Sequence, residues 1–255
     1  MIKLDLRTRF GRLQAQLGVP DNPMRLAELA FNALAFDERL ISMAVKTDLK
    51  DGTRSISCAK GCGACCRQLV PLSPPEAWMI ADVVRAMPSA QRSDALERFQ
   101  KMHTALAETS LAGRSLSHDD DPEVVLDVAV QFYELGLPCP FLVDESCSIH
   151  PQRPSVCREY LVTSPAADCT ELRLKKSRRI PTAMRVSEAL SRVAAKVLGA
   201  EMEIVPLHMA LDWALEHEEE GKRTYDGKML LETFFEEAQA VQLGLEPSGV
   251  TATPK

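Results

Sequence analysis

The chain has 255 residues, a formal net charge of −6, 45% hydrophobic and 26% charged residues, which is the composition of an ordinary soluble protein. The negative charge argues against a general nucleic-acid binder, and no apolar run approaches the roughly 20 residues that cross a bilayer. The first residues alternate charged and apolar side chains and lack the apolar core of a signal peptide. We therefore expect a cytoplasmic protein whose thiols stay reduced.

Two helices are predicted in the first fifty residues. Residues 3–17 place leucines and a phenylalanine at roughly helical spacing, and Gly18 with Pro20 would end this helix. A second amphipathic helix should begin near Pro23, because proline is favoured at the first helical position. It should end before the Asp-Gly pair at 51–52. Both helices are interpreted as scaffold.

Three further helices are predicted between the two cysteine-rich parts of the chain. Ser73 and Glu76 form a capping-box pattern, which predicts a helix that ends at Pro88. Apolar periodicity predicts another helix over about 90–111. The segment 124–137 fits a strand or a helix, and we favour the helix.

The C-terminal part is also predicted to be helical. Helices are expected over 187–198, 206–220 and 226–243. The basic run 172–179 is interpreted as a solvated surface segment, and the tail 247–255 as disordered. The chain is thus predicted to be a single, mainly α domain. Helical parts at 1–50 and 181–243 would surround a metal-binding core of irregular, cysteine-rich loops at about 55–170.

Eight cysteines are the most informative residues of the chain. They are Cys58, Cys62, Cys65, Cys66, Cys139, Cys147, Cys157 and Cys169. In a reducing compartment they fit metal ligands better than disulfides, and chance would not produce the spacing of the first four. Thiolates are soft ligands that suit zinc or the irons of an iron–sulfur cluster. Gly61 and Gly63 would let the first loop turn tightly and aim sulfurs and backbone N–H groups at a metal.

The adjacent pair Cys65–Cys66 restricts how the thiols can be shared. Neighbouring side chains diverge by about 100° on a helix and point to opposite faces of a strand. Two adjacent thiolates are therefore awkward ligands for one mononuclear ion and would fit two sites, or two irons of one cluster, better. We infer that the first four cysteines are divided between two sites or between the irons of one cluster. The second four would then complete one or two metal sites.

Basic side chains beside the cysteines could offset the charge of the thiolates. These residues are Lys60, Arg67, Arg153 and Arg158. Donation of hydrogen bonds to the metal-bound thiolates and ordinary surface solvation stay open as alternatives for all four. His150 is a further candidate ligand by its position between Cys147 and Cys157, although eight cysteines already make two complete sites.

Two blocks of sequence carry a resemblance to a known family. The first is C-x3-C-x2-C-C followed by an apolar-Pro-Glu segment at 70–76. The second joins C-P-F-L, C-S-I-H and R-P-x-x-C-R over 139–158. With these blocks, residues 55–170 resemble the YkgJ-type cysteine-cluster family (CxxxCxxCC), which is described as a zinc- or iron-chelating domain. The resemblance implies a thiolate-bound metal, with Cys169 as the loosest match; the family usually has a tyrosine at position 150.

Larger relatives of this family are described as flagellin lysine methylases that use a cluster and a methyl donor. This chain has no convincing Gly-rich nucleotide loop after a strand. It also shows no credible Ser-His-Asp set, no H-E-x-x-H and no phosphate-binding loop. No catalytic residue and no other cofactor-binding residue is therefore assigned, and whether the chain is an enzyme stays open.

Three functions stay open at this point. The first is a non-catalytic protein whose one or two closed zinc or iron–sulfur sites stabilise the irregular loops. The second is an iron–sulfur-dependent redox or protein lysine methyl-transfer enzyme, which predicts a pocket beside the cluster. The third is a metal carrier or sensor, which predicts labile, partly exposed thiolates. A metal ion is the predicted partner in each case, while a membrane and nucleic acid are not expected.

Overall fold

Helices make up most of the computed structural model, which describes residues 2–18, 22–112, 116–117, 120–174 and 176–243. The α-helices of this part of the chain are α1 (Leu26–Asp48), α2 (Pro74–Ala86), α3 (Ser89–Ala107), α4 (Pro122–Glu134), α5 (Ser155–Glu159), α6 (Val186–Leu198), α7 (Ala210–Glu216), α8 (Glu218–Lys222) and α9 (Gly227–Leu243). Short 3₁₀ helices cover Ala64–Arg67, His150–Gln152, Ala166–Thr170 and Leu207–Met209. The prediction of a mainly α protein is confirmed.

The strands of the described residues are short and pair in antiparallel fashion. They are β1 (Ile2–Thr8), β2 (Gly11–Leu17), β3 (Met24–Arg25), β4 (Pro71–Leu72), β5 (Leu116–Ser117), β6 (Leu142–Val143), β7 (Ser146–Cys147), β8 (Glu203–Pro206) and β9 (Thr224–Tyr225). β1 pairs with β2, β3 with β9, β6 with β7, and β8 lies between β4 and β5. Because β3, β4, β8 and β9 come just before helical segments, their pairing fixes where those segments start.

The N-terminal segment is a β-hairpin, so the helix predicted over 3–17 is wrong. Leu4 and Leu6 are buried and Asp5 between them is exposed, which is the alternation of a strand with one buried face. Across the hairpin, Arg12 forms an ion pair with Asp5. The period-two alternation of charged and apolar residues in β1 was the stronger signal, and the leucine spacing fits a strand as well as a helix.

The other predicted helices are present, with changes at their ends. Ser73 accepts a hydrogen bond from the backbone N–H of Glu76, whose carboxylate accepts one from the Ser73 N–H, so the capping box that starts α2 is confirmed. The segment that fitted either a strand or a helix, and for which we favoured the helix, is α4 in the structure. Gly199, with φ of 68°, ends α6. The helix predicted over 206–220 is divided into a 3₁₀ turn, α7 and α8, with a break at His217.

One hydrophobic cluster links the N-terminal and C-terminal parts of the chain. In it α1, α2, α6 and α9 pack on one another. Phe36 of α1 meets Phe234 and Phe235 of α9 edge-on, with ring centroids 5.6 and 5.4 Å away. None of the helices described is both long and apolar enough to cross a membrane. The tail predicted to be disordered, 247–255, lies outside the described residues.

Glu76 forms hydrogen bonds that connect three helices. Its buried carboxylate accepts hydrogen bonds from the Ser73 hydroxyl at 2.8 Å, the Ser155 backbone N–H at 2.9 Å and the Ser187 hydroxyl at 2.5 Å. These bonds join α2 to α5 and α6. Because a buried carboxylate is stable only with its donors in place, this network fixes α5, the helix that carries Cys157.

Asp37 is a buried carboxyl group of α1 whose Oδ2 has no hydrogen-bond partner within the described chain. Burial, followed by the negative charges of Glu159 and Glu76, raises the pKa of Asp37 to about 9. The positive charge of Arg158 opposes this rise, and the negative charge of Glu38 adds to it. At neutral pH the group is therefore protonated in the folded protein and ionised in the unfolded chain.

We expect Asp37→Asn to stabilise the protein at alkaline pH. The pKa of this carboxyl rises from 3.8 to about 9 on folding. Unfolding therefore releases a proton between these values, and the free energy of unfolding falls as pH rises through this window. Because Asn imitates the neutral acid, the variant should match the wild type near pH 4 and exceed it by roughly 2–4 kcal/mol near pH 8.

Urea unfolding followed by circular dichroism at the two pH values measures this difference. Asp127→Asn, the same exchange at an exposed position of α4, is the control, and its difference in stability from the wild type should be nearly the same at both pH values. A loss of stability in Asp37→Asn that is equal at both pH values would contradict the account.

Candidate metal centre

Two cysteine-rich loops face each other across a cavity of about 490 Å³. All eight cysteines are free thiols. The seven that line the cavity are Cys58, Cys62, Cys65, Cys66, Cys147, Cys157 and Cys169. The structure thus brings together thiols from both halves of the sequence pattern.

Tight turns arrange the first loop along one wall of the cavity. Gly61 has a φ of 88°, in the left-handed region that glycine adopts readily. Cys65 and Cys66 follow on the 3₁₀ helix, where the Cys66 N–H donates to the Gly63 carbonyl at 3.0 Å. These turns hold the four thiols of one short segment near the same space.

The neighbouring thiols of Cys65 and Cys66 do not diverge as their adjacency led us to expect. Their side chains hydrogen-bond to each other, and both line the one cavity. This contact lowers the pKa of Cys65 and raises that of Cys66, to which burial adds. Both thiols face one space, which is compatible with two irons of one cluster, and their division between one or two sites stays a prediction.

Backbone N–H groups point at sulfurs in the second loop. The sulfur of Cys139 accepts a hydrogen bond from the N–H of Phe141, and that of Cys147 from the N–H of Ile149. Each bond lowers the pKa of its thiol, although burial has the larger, opposite effect. Because N–H donors stabilise anionic sulfur, these turns are suited to thiolate ligands.

Hydrogen bonds also join the first loop to the second. The Cys139 N–H donates to the Cys66 carbonyl at 2.7 Å, and the Ser57 N–H donates to the Val162 carbonyl at 2.9 Å. The N–H of Val162 points back at the sulfur of Cys58. The two loops are therefore held in register by their own backbones.

Cys139 is the cysteine that does not line the large cavity. It borders a much smaller gap with Phe132 and Leu207, and burial raises its pKa to about 12. Cys169, the loosest match to the family pattern, is 4% exposed and does line the large cavity. The structure therefore places Cys169, and not Cys139, in the wall of the large cavity.

Arg153 is a basic residue that faces the thiols. It lines the cavity, and its buried Nε has no partner among the described residues. Its positive charge lowers the pKa of both Cys65 and Cys147, against the effect of burial. The same charge is the main cause of the lowered pKa of His150, which also borders the cavity. Arg153 is therefore placed to compensate thiolate charge.

The other three basic residues have different surroundings. Arg158 pairs with Glu38 at 3.1 Å and also donates to backbone carbonyls. Arg67 pairs with Glu145 across the two loops. Lys60 is exposed at the rim of the cavity. Their proximity to cysteines in the sequence did not distinguish these roles.

The sequence did not single out three further residues of the site. Gln68 donates its amide to the Cys169 carbonyl at 2.9 Å and to the Tyr160 hydroxyl at 3.4 Å. Arg179 of the basic run stacks on the Tyr160 ring, 4.2 Å from its centroid. Glu145 lines the cavity wall.

The thiols are spread around the cavity and do not converge on one point. Within the part of the chain described, no group of three or more Cys, His, Asp or Glu side chains is arranged to hold a single ion directly. Tetrahedral zinc requires four sulfurs about 2.3 Å from one ion. The donor set of thiols, N–H groups aimed at sulfur and one arginine nevertheless fits soft metals and not calcium or magnesium, which prefer oxygen.

Residues 57–179 match the model of the CxxCxxCC family, whose description reads "Putative zinc- or iron-chelating domain". The match covers both cysteine blocks, so the resemblance inferred from their spacing is confirmed. No curated protein and no solved structure matches the chain. Residues 57–179 are therefore similar to this family, whose description supports metal binding and gives no more specific role.

We expect Arg153→Gln to weaken metal binding most at low pH. Metal binding displaces protons from thiols, and Arg153 favours the thiolate form, so its loss should lower zinc affinity by about 10-fold near neutral pH. Arg153→Lys keeps the charge and should recover part of the affinity. Competition with a chelator over a range of pH measures the effect.

The matched control for this experiment is Arg173→Gln, because Arg173 forms an exposed ion pair with Asp127. It should bind zinc as the wild type does. Equal zinc affinity in Arg153→Gln and in the wild type at every pH would contradict the role assigned to Arg153.

Proposed function

We propose that this protein binds a metal centre with more than one metal atom, an iron–sulfur cluster, through thiolates of two separated loops. The observation that carries the proposal is that seven thiols line one cavity of about 490 Å³. A single tetrahedral zinc needs four thiolates that converge on one ion, whereas these thiols surround a space. A cluster distributes its thiolates over several irons, which suits the contact between Cys65 and Cys66.

Zinc is the second candidate, because eight cysteines supply two complete four-thiolate sets. With either metal, the burial of Cys169 and the partial burial of the other seven cysteines favour a closed site that contributes to folding over the labile thiolates of a carrier. When bound, the centre would link loops that otherwise have only short turns and strands.

Elemental analysis of protein purified without oxygen tests the choice between the metals. We expect a brown protein that absorbs near 400 nm and contains iron with acid-labile sulfide. A colourless protein with two zinc ions per chain would support the second candidate and contradict the cluster. Protein that takes up neither metal would contradict both.

We expect Cys65→Ser and Cys66→Ser to lose the same centre, because both thiols line one cavity. Iron content and visible absorption of each variant, purified without oxygen, measure this. Arg173→Gln, which removes an exposed ion pair with Asp127, is the control and should keep both the iron and the absorption. Loss of different metals from the two serine variants would show separate sites and contradict a shared centre.

A further inference from the structure

An ion pair connects the two cysteine loops at the wall of the cavity. Arg67 donates to the Glu145 carboxylate through Nη2 at 2.7 Å and through Nη1 at 3.0 Å. Nη1 also donates to the Gly63 carbonyl at 3.0 Å. Arg67 directly follows Cys66, whereas Glu145 comes two residues before Cys147. We call this contact the Arg67–Glu145 clasp.

The backbone holds Glu145 in a conformation that non-glycine residues rarely adopt. Asp144 and Glu145 form the two-residue turn between β6 and β7, with φ of 48° and 54°. Such turns favour Asn-Gly, because both positions are left-handed. Side chains persist there where surrounding contacts enforce the conformation, and the bidentate pair with Arg67 is such a contact.

Gly63 makes room for the clasp. Its φ of −94° suits any residue, so its conformation does not require glycine. A Cβ at this position would overlap the Glu145 carboxylate and come within 3.0 Å of Leu142 Cδ1. Glycine is therefore needed for space. The ion pair, the left-handed turn and the missing Cβ are three separate features that converge on one contact.

We propose that the Arg67–Glu145 clasp holds the two loops closed around the metal centre and limits the rate at which metal leaves. This inference rests on the proposed function. Arg67 and Glu145 act as positioning residues, because they contact each other and backbone next to Cys66 and Cys147. Their side chains are 31% and 51% exposed, so opening the pair leaves no charge buried and requires no unfolding of the helices.

Zinc release from the full-length, zinc-loaded protein tests the clasp. An excess of chromogenic chelator reports the release rate. Glu145→Gln should release zinc about three- to six-fold faster, the size expected for a partly exposed ion pair. Arg67→Gln should act alike, and the double variant should add little, because the two residues form one contact. Asp127→Asn, which breaks the exposed Arg173–Asp127 pair, is the control and should leave the rate unchanged.

Gly63→Ala should break the clasp by steric overlap with the Glu145 carboxylate, while Arg67 and Glu145 both remain in the chain. In the wild-type background this substitution should also accelerate zinc release. In a Glu145→Ala background, where the overlapping carboxylate is absent, the same substitution should change the release rate much less. Because salt screens exposed charges, wild-type release should accelerate between about 0.05 and about 1 M salt, and release from Glu145→Gln should not. A merely structural role would not produce this difference.

Hydrogen exchange of the metal-free protein supplies a readout that needs no bound metal. Exchange of β6 and β7 should rise in Glu145→Gln and stay unchanged in Asp127→Asn. If every clasp variant releases zinc at the wild-type rate, and that rate does not depend on salt, the role of the clasp is overturned and the proposed function is not. A wild-type protein that binds no zinc and no iron would overturn the proposed function, and the clasp with it.

Discussion

Several thiols that face one cavity can ionise together only if positive charge lies among them. Burial raises the pKa of Cys58, Cys147 and Cys157, so without metal these groups keep their protons at neutral pH. Arg153 lies in the cavity wall and Lys60 at its exposed rim, and N–H groups face individual sulfurs. These donors offset part of the charge of so many thiolates, and a soft metal centre would offset the rest while replacing the protons.

The helices determine where the cysteine loops begin and end. Glu76, already the N-terminal cap partner of α2, also binds α5 and α6, and α5 carries Cys157 into the cavity wall. Backbone bonds such as that from Cys139 to Cys66 then align one loop on the other. The clasp adds a contact at the rim that opens more easily than these buried bonds.

Local patterns in the sequence predicted the local structure well. The capping box at Ser73, the helix end at Gly199 and the identity of the cysteine loops follow from residues close in the chain. The hairpin was missed because leucines at its spacing fit either period, and the contact between Cys65 and Cys66 because a 3₁₀ turn was not foreseen. Contacts across the chain, such as that of Glu145 with Arg67, depend on how the loops meet, which spacing alone does not contain.

Hydrogen exchange of the full-length protein with and without its metal tests the central claim that one centre joins both loops. Removing the metal should raise exchange over 57–67 and 139–169 together, because each loop loses its link to the other. Exchange in the middle of α1 and α9 should stay unchanged. A response confined to one loop would mean that its thiols hold the metal alone, and would contradict this account.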